Sequence, residues 1–241
     1  MFRPLTWGWK SFRPRATLLS MRSTSSVANS SLKLINKVAV VTGSTNGIGF
    51  SIARRLAQEG AHVIISSRKQ QNVDQAVDTL QREGLSVAGT VCHVGKAEDQ
   101  EQLVATALKH CGGVDFLVCT AGVNPFVGST LGSNEQVWDK ILSVNVKAPA
   151  LLLRRLLIGR ELLGTILIPS SSLLICFPFR PQKLGAYNVS KTALLGLTKT
   201  LAVELAPKNI RVNCLVPGFI KTDFSRVVST EKSFCSYTTG H

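Results

Sequence analysis

The sequence predicts an α/β chain organised around a doubly wound parallel sheet, and three observations support that fold class. Short apolar runs alternate with segments of helical periodicity along most of the 241 residues, the pattern of parallel strands joined by crossover helices. The first run, Val38–Val41, leads into a Gly-rich turn and then a helical segment. The length suits one domain with a sizeable core. Functional residues are therefore expected just after strands, at their carboxyl ends.

The remaining elements follow from the same two periodicities. After the strand at 38–41, strands are expected at 61–66, 87–93, 114–119, 165–169 and 210–216. Helices are expected at 70–82, about 98–110 and 186–205, and a long helical region at 135–161. The most apolar segment, 151–176, is interrupted by Arg154, Arg155, Arg160 and Glu161. Because a membrane span needs ~20 apolar residues, we expect a helix with one buried face and then a core strand there, and no transmembrane segment.

The Gly-rich turn predicts a phosphate-binding site. It comprises Gly43, Ser44, Thr45, Asn46, Gly47, Ile48 and Gly49, with the spacing Gly-x-x-x-Gly-x-Gly. Glycines allow a tight turn and close approach to a ligand. The free N–H groups and positive dipole end of the following helix favour an anion. Taken alone, an ordinary Gly-rich connection between strand and helix is the alternative.

Much of the net charge of +14 lies in the N-terminal part of the chain, where no acidic residue precedes Glu59. No nucleic-acid motif accompanies it, so nucleic-acid binding is not expected. Residues 1–30 combine Arg, Ser, Thr and large apolar residues, which is typical of a mitochondrial transit peptide. A disordered N-terminus is the alternative. We expect the mitochondrial matrix as the location, with nucleus, peroxisome and cytoplasm as alternatives.

The cysteines predict neither a metal site nor a catalytic thiol. Cys92, Cys111, Cys119, Cys176, Cys214 and Cys235 form no C-x-x-C pair and show no metal-ligand spacing. Several lie in or beside apolar runs, where a thiol behaves as a small hydrophobic side chain. We therefore expect them to be reduced and structural.

The segment after the second predicted strand bears on the choice of cofactor. A carboxylate at this position would bind the ribose 2′-hydroxyl of NAD, but the residues are Ser66, Ser67, Arg68 and Lys69. The guanidinium of Arg68 can instead pair with a 2′-phosphate. The segment therefore favours NADPH over NADH, with a solvated basic pair at a helix start as the alternative.

Tyr187 and Lys191 are the candidate catalytic pair, because residues four apart share one face of a helix. An isolated phenol has a pKa of about 10, and a nearby cation is expected to lower that pKa toward neutrality. Such pairs occur often by chance. The Gly-rich turn, Asn145 and the Ser run at 170–172 make a catalytic role the preferred interpretation.

Several motifs together point to a known family. They are Thr42-Gly43-x-x-x-Gly47-Ile48-Gly49, Cys119-Thr120-Ala121-Gly122, Asn145, Tyr187-x-x-x-Lys191 and Pro217-Gly218. In combination they resemble the short-chain dehydrogenase/reductases, from about Lys33 to Phe224. The resemblance implies a Rossmann-like doubly wound sheet in one domain over 31–225. The stretches 66–73, 92–99 and 187–197 are similar to NADPH-dependent carbonyl reductases of mitochondria or peroxisomes within that family.

The resemblance also implies roles for individual residues in the reduction of a ketone, aldehyde or dicarbonyl. Tyr187 would protonate the carbonyl oxygen, Lys191 would lower the pKa of Tyr187 and hold the nicotinamide ribose, and Asn145 would anchor a water joining Lys191 to solvent. At the family's spacing from the Tyr, the substrate-orienting Ser is replaced by Leu174. Counting forward from Gly164 places Ser171 there, with Ser172 as the alternative.

The cofactor-binding residues that the resemblance implies lie after strands or on the predicted helix at 186–205. They are Gly43, Ser44, Thr45, Asn46, Gly47, Ile48, Gly49, Ser67, Arg68, His93, Val94, Ala121, Gly122, Lys191, Pro217, Gly218 and Thr222. His93 takes the place of an Asp that lies beside the adenine in many members. Thr120 stands where members usually have Asn, and Thr222 matches a residue that bonds the nicotinamide amide.

The resemblance stops after Phe224, and a divergent polar tail follows at 226–241. We therefore expect the chain to lack the family's last helix and strand, which would open one sheet edge and weaken a homo-oligomer. Two hypotheses follow. One is an NADPH-dependent carbonyl reductase acting on a small molecule. The other is a truncated, catalytically weak cofactor-binding or regulatory form.

Overall fold

The computed structural model describes residues 32–159, 162–170, 184–218, 220 and 222–223. Three sequence predictions lie outside the described residues. They are the targeting segment at 1–30, the substrate-orienting Ser171 with its alternative Ser172, and the polar tail at 226–241.

Six parallel strands form one sheet in the order β3-β2-β1-β4-β5-β6. They are β1 (Val38–Thr42), β2 (His62–Ser67), β3 (Val87–Val91), β4 (Val114–Cys119), β5 (Leu162–Pro169) and β6 (Arg211–Leu215). The chain runs outward from β1 to β3 and then returns to place β4 on the other side of β1. The strand order therefore reverses between β1 and β4, which confirms the predicted doubly wound sheet.

In the described ranges, six α-helices cover the two faces of this sheet. They are α1 (Gly47–Gln58), α2 (Gln70–Arg82), α3 (Ala97–Cys111), α4 (Glu135–Leu142), α5 (Ala148–Ile158) and α6 (Gly185–Leu205). Side chains of β1 alternate between two hydrophobic clusters, as strand geometry requires. Ala39 and Val41 pack with α1 and α2, whereas Val40 packs with α3, α5 and α6. Among the described residues, no helix is long and apolar enough to cross a bilayer.

The long helical region predicted over 135–161 is helical from Glu135 to Ile158, but it is not a single α-helix. Helix α4 ends at Leu142, a π-helical turn occupies Ser143–Lys147, and α5 ends at Ile158. The turn carries Asn145, which is 1% exposed. Single π-helical turns inside α-helices occur frequently at functional sites. The apolar periodicity continues through the turn, so the sequence pattern contains no sign of it.

Other element boundaries differ from the predictions by small amounts. Strand β3 ends at Val91, so His93 lies in the following loop and not in the strand as predicted. Strand β5 begins at Leu162, earlier than predicted, and β6 is confined to Arg211–Leu215. The structure places α2 and β4 at their predicted bounds.

The turn between β1 and α1 packs directly against the segment that follows β4. Gly43 has a φ of +59°, and a Cβ at this position would lie 2.8 Å from the Ala121 Cα. A Cβ at Gly49 would collide with the Gly43 carbonyl oxygen and would lie 2.6 Å from Thr120 Oγ1. Because backbone atoms cannot move aside as a flexible side chain can, these two positions require glycine.

Gly49→Ala is expected to destabilise the fold by about 1–3 kcal/mol or more, the scale of overpacking in a close-packed site. Gly196→Ala is the matched control. It lies within α6 with nothing within 4 Å of an added Cβ, and alanine there should stabilise the helix by about 0.5–1 kcal/mol. Equilibrium denaturation in urea measures both changes. A Gly49→Ala variant as stable as the unmodified protein would contradict the packing described above.

Candidate active site

A cavity of about 300 Å³ lies at the carboxyl ends of the strands, where the strand order reverses. The predicted residues that line it are Gly43, Thr45, Asn46, Gly47, Ile48, Gly49, Ser67, Arg68, His93, Val94, Ala121, Gly122, Tyr187, Lys191, Pro217 and Thr222. They come from the turn after β1, the loops after β2, β3, β4 and β6, and helix α6. The fold thus brings together residues that are far apart in the chain.

Three predicted residues do not line the cavity. The Ser44 hydroxyl is fully buried, donates to the Val41 carbonyl at 2.6 Å and accepts from the Ser66 N–H at 3.0 Å. Ser44 therefore stabilises the turn through hydrogen bonds to the backbone of β1 and β2. Asn145, which is 1% exposed, and Gly218 are not among the residues that line the cavity.

The structure also places residues in the cavity wall for which sequence analysis predicted no site role. They include Val123, Val144, Pro169, Ser170 and Asp223. Of these residues, only Ser170 belongs to a pattern that the sequence analysis used. It lies in the Ser run at 170–172, from which Ser171 was predicted to orient the substrate. The others are apolar or lie outside the motifs, so no residue pattern indicated them.

The N-terminus of α1 faces the cavity and is capped by Asn46. The side-chain oxygen of Asn46 accepts the Gly47 N–H at 2.6 Å, and its Nδ2 donates to Asp223 Oδ2 at 2.9 Å. Thr222, next to Asp223, lies beside Gly47, since a Cβ there would be 3.6 Å from Thr222 Cγ2. The turn and the segment after β6 therefore line the same cavity at the N-terminus of α1, a position at which the helix dipole and free N–H groups favour an anion.

The ends of β1 and β4 are joined by reciprocal hydrogen bonds. Thr120 Oγ1 donates to the Thr42 carbonyl, and Thr42 Oγ1 accepts the Ala121 N–H at 3.2 Å. The hydroxyl of Thr120, which stands in place of the family's usual Asn, thus holds the segment after β4 against β1. The backbone of Ala121 approaches Gly43 closely, since a Cβ at Gly43 would lie 2.8 Å from the Ala121 Cα.

Asn145 connects three parts of the site. Its Oδ1 accepts the Val123 N–H at 2.8 Å, and its Nδ2 donates to the Val123 carbonyl and to Ser190 Oγ, both at 3.0 Å. Ser190 Oγ in turn donates to the Tyr187 carbonyl at 2.7 Å. The π-helical turn is therefore tied to the loop after β4 and to the first turns of α6. The water that was expected at Asn145 stays a prediction.

Tyr187 and Lys191 lie on the same face of α6, with Lys191 Nζ 5.7 Å from the centre of the phenol ring. Burial raises the pKa of Tyr187 to about 12. The cause of this rise is that removal of water disfavours the charged phenolate. That Lys191 by itself lowers the pKa of Tyr187 stays a prediction. Tyr187 is consequently protonated at neutral pH and able to donate a proton.

Lys191 has the opposite shift for the same reason. Burial lowers its pKa to about 8, and Cys214 opposes that shift. The ammonium donates to the Pro169 carbonyl at 3.1 Å. Lys191 therefore keeps most of its charge at neutral pH and loses it as the pH rises through about 8.

The loop after β3 is fastened to the helical layer by Gln100, which is 2% exposed. Its Nε2 donates to the carbonyls of Val94 at 2.6 Å and Ala148 at 3.2 Å, and its Oε1 accepts from Arg155 Nη1 at 2.8 Å. His93, beside Val94, accepts the Gly95 N–H on Nδ1 at 3.1 Å. One satisfied polar side chain thus links the cavity wall to the start of α5.

Comparison with known proteins agrees with this geometry. The sequence profile of the short chain dehydrogenase family matches residues 37–233. The chain belongs to this family of oxidoreductases. It is 67% identical over 226 residues to the human dehydrogenase/reductase SDR family member 2, mitochondrial, a match covering 94% of this chain and 79% of that protein. It is 62% identical over 213 residues to human member 4, covering 88% and 76%.

A solved structure shows the same family fold. The 3-ketoacyl-(acyl-carrier-protein) reductase of Brucella melitensis, complexed with NADH, superposes with a TM-score of 0.71 at 30% sequence identity. The superposition covers 79% of this chain and 78% of that one. The family resemblance on which the sequence analysis relied is therefore confirmed.

Asn145→Asp tests whether the two donor bonds of Asn145 hold the site together. The change replaces an amide donor with a carboxylate that faces the Val123 carbonyl, so a loss of about 1–3 kcal/mol in unfolding free energy is expected. Asn134→Asp is the control. Asn134 caps α4 only by accepting the Val137 N–H at 3.0 Å, which Asp does equally well. Urea denaturation of both variants measures the difference, and equal losses would argue against a special role for Asn145.

Proposed function

We propose that this chain is an NADPH-dependent carbonyl reductase acting on a ketone, aldehyde or dicarbonyl. The observation that carries the proposal is one cavity lined at once by the capped Gly-rich turn, by Arg68, and by Tyr187 and Lys191 on one face of α6. An anion-binding helix terminus at one side and a proton donor at the other suit a dinucleotide that reduces a carbonyl. Membership of an oxidoreductase family supports the same assignment.

The residues of the cavity fit the parts of NADPH. The turn at 43–49 would hold the diphosphate at the α1 N-terminus, and Arg68 would pair with the 2′-phosphate. The loop carrying His93 and Val94 would flank the adenine, and Lys191 would hold the nicotinamide ribose. When bound, NADPH supplies the hydride that reduces the carbonyl carbon.

The chain's own contribution to the reaction is proton transfer and charge stabilisation. Tyr187, whose pKa burial raises to about 12, carries its proton at neutral pH and would donate it to the carbonyl oxygen as negative charge develops there. The Lys191 ammonium would stabilise the phenolate that results. Ser171 is proposed to orient the substrate. Asn145 would hold helix α6 and the loop after β4 in fixed positions relative to each other, through its bonds to Ser190 and Val123.

Tyr187→Phe tests the mechanism by removing the proton donor and leaving the ring. We expect NADPH oxidation with an aromatic dicarbonyl to be lost while NADPH still raises the melting temperature. Retained turnover in Tyr187→Phe would mean that another group is the acid. If the unmodified chain gives a thermal shift without any turnover, the alternative of a cofactor-binding form is the correct one.

Arg68→Ala tests the choice of cofactor. The unmodified chain should bind NADPH more tightly than NADH, and the variant should lose about 1–3 kcal/mol of that preference, the scale of a charge-assisted contact. Lys69→Ala is the matched control, since Lys69 is also exposed and basic but does not line the cavity. Fluorescence titration gives the six dissociation constants, for NADPH and NADH with each of the three proteins. Equal affinity of the unmodified protein for NADPH and NADH would refute the assignment of Arg68.

We also propose that residues 1–30 direct the chain to mitochondria. The support is their cationic, acid-free composition and the name of the human relative, which carries the word mitochondrial. A fluorescent protein fused after residue 30 is expected to colocalise with a matrix marker in cells. Replacing Arg3, Arg13, Arg15 and Arg22 with Gln in that fusion should abolish import, because transit peptides depend on positive charge. Diffuse fluorescence of the unmodified fusion would refute the proposal.

A further inference from the structure

The end of strand β5 holds Lys191 at two points. Lys191 Nζ donates to the Pro169 carbonyl at 3.1 Å, and Ser170 Oγ donates to the Lys191 carbonyl at 2.6 Å. Two consecutive residues of the strand end thus bind the ammonium and the backbone of one lysine. We call this arrangement the Pro169–Ser170 clamp.

The clamp is itself anchored in the sheet. The Ser170 N–H donates to the Leu215 carbonyl at 2.8 Å, which extends the pairing of β5 with β6 by one residue. Ser170 is 5% exposed and Lys191 is 6% exposed, so water competes little for either bond. A carbonyl oxygen has two lone pairs, so the Lys191 carbonyl can accept from Ser170 and from its own helix together.

Among the described residues, the Lys191 ammonium has donors left over with which it can bind a ligand. Among the described residues its one hydrogen bond goes to Pro169, and an ammonium has three donors. Across the cavity, a Cβ at Gly122 would lie 3.7 Å from Lys191 Nζ. The ammonium is therefore confined between the end of β5 and the segment after β4, and small shifts of α6 would move it.

We propose that Ser170 is a positioning residue, which fixes Lys191 at the cavity by binding its backbone carbonyl while Pro169 receives its ammonium. The inference rests on the proposed function in one respect, that Lys191 holds the nicotinamide ribose of the cofactor. Ser170 does not itself bind the reacting atoms, because its hydroxyl donates to the Lys191 carbonyl in α6. Its neighbour Ser171 remains the proposed substrate-orienting residue.

The proposal predicts how Lys191 titrates. Within the part of the chain that the structure describes, the titratable groups that face Lys191 are Tyr187 from the same helix and Cys214 from β6. Burial is the main cause of its lowered pKa. Loss of the Ser170 bond would loosen α6 from the strand end and admit water to the ammonium. The titration midpoint of Lys191 is then expected to rise toward the ordinary value for lysine.

The experiment compares Ser170→Ala with Ser170→Thr and Thr198→Val in the full chain. Competitive acetylation by acetic anhydride over about pH 7 to 10, read by mass spectrometry, gives the midpoint of Lys191. Fluorescence titration gives the Kd for NADPH. Ser170→Ala is expected to raise both, the Kd by roughly tenfold, the scale of one buried hydrogen bond. Ser170→Thr keeps the hydroxyl and should restore both values.

Thr198→Val is the matched control for loss of a buried hydroxyl. Thr198 is also buried in α6 and donates to a helix carbonyl, that of Leu194, at 2.7 Å, but it does not line the cavity. This variant should leave the midpoint and the Kd unchanged. If Ser170→Ala does not fold, Ser170→Cys replaces it in the experiment. Because a thiol is only a weak hydrogen-bond donor, Ser170→Cys should also raise the titration midpoint of Lys191.

The outcomes separate this inference from the proposed function. An unchanged Lys191 midpoint in Ser170→Ala, or the same change in Thr198→Val, overturns the role of Ser170 whatever the turnover. A raised midpoint in Ser170→Ala, in a protein that shows no NADPH oxidation even when unmodified, supports the clamp and refutes the reductase.

Discussion

The backbone contact between the turn after β1 and the segment after β4 is the constraint on which the site depends. Gly43 and Gly49 have no room for a side chain there, and the Thr120 and Thr42 hydroxyls join the two strand ends. Because the strand order reverses between these strands, a crevice opens above the contact. The α1 N-terminus and the loop carrying Gly122 meet in that crevice, so the proposed anion site and the proposed reaction site are neighbours.

Burial then shifts the pKa values of the two central side chains in opposite directions. The same loss of water raises the pKa of Tyr187 to about 12 and lowers that of Lys191 to about 8, since burial disfavours whichever form is charged. At neutral pH the phenol keeps its proton while the lysine remains largely cationic. This pair of states suits an acid that must give up a proton beside a positive charge.

Buried polar side chains hold the helical layer to the sheet around this pair. Asn145 joins the π-helical turn to the loop after β4 and to Ser190, and Gln100 joins the loop after β3 to α5. Each of their hydrogen-bonding groups has a partner among the described residues. Buried polar groups satisfied in this way specify one arrangement of the elements around them.

The sequence by itself determined the sheet class, the family and most of the residues around the cavity. Helix α2 and strand β4 have their predicted bounds because periodicity and turn residues are local properties. Only the tertiary structure decided the break in the helix at Ser143–Lys147, since its Asn145 bonds to backbone distant in the chain. It also decided the raised pKa of Tyr187 and the engagement of Ser170 with α6. The pKa of Tyr187 depends on which groups exclude water from the phenol, and the bond of Ser170 depends on which group lies opposite its hydroxyl. The spacing of residues along the chain carries no information about either.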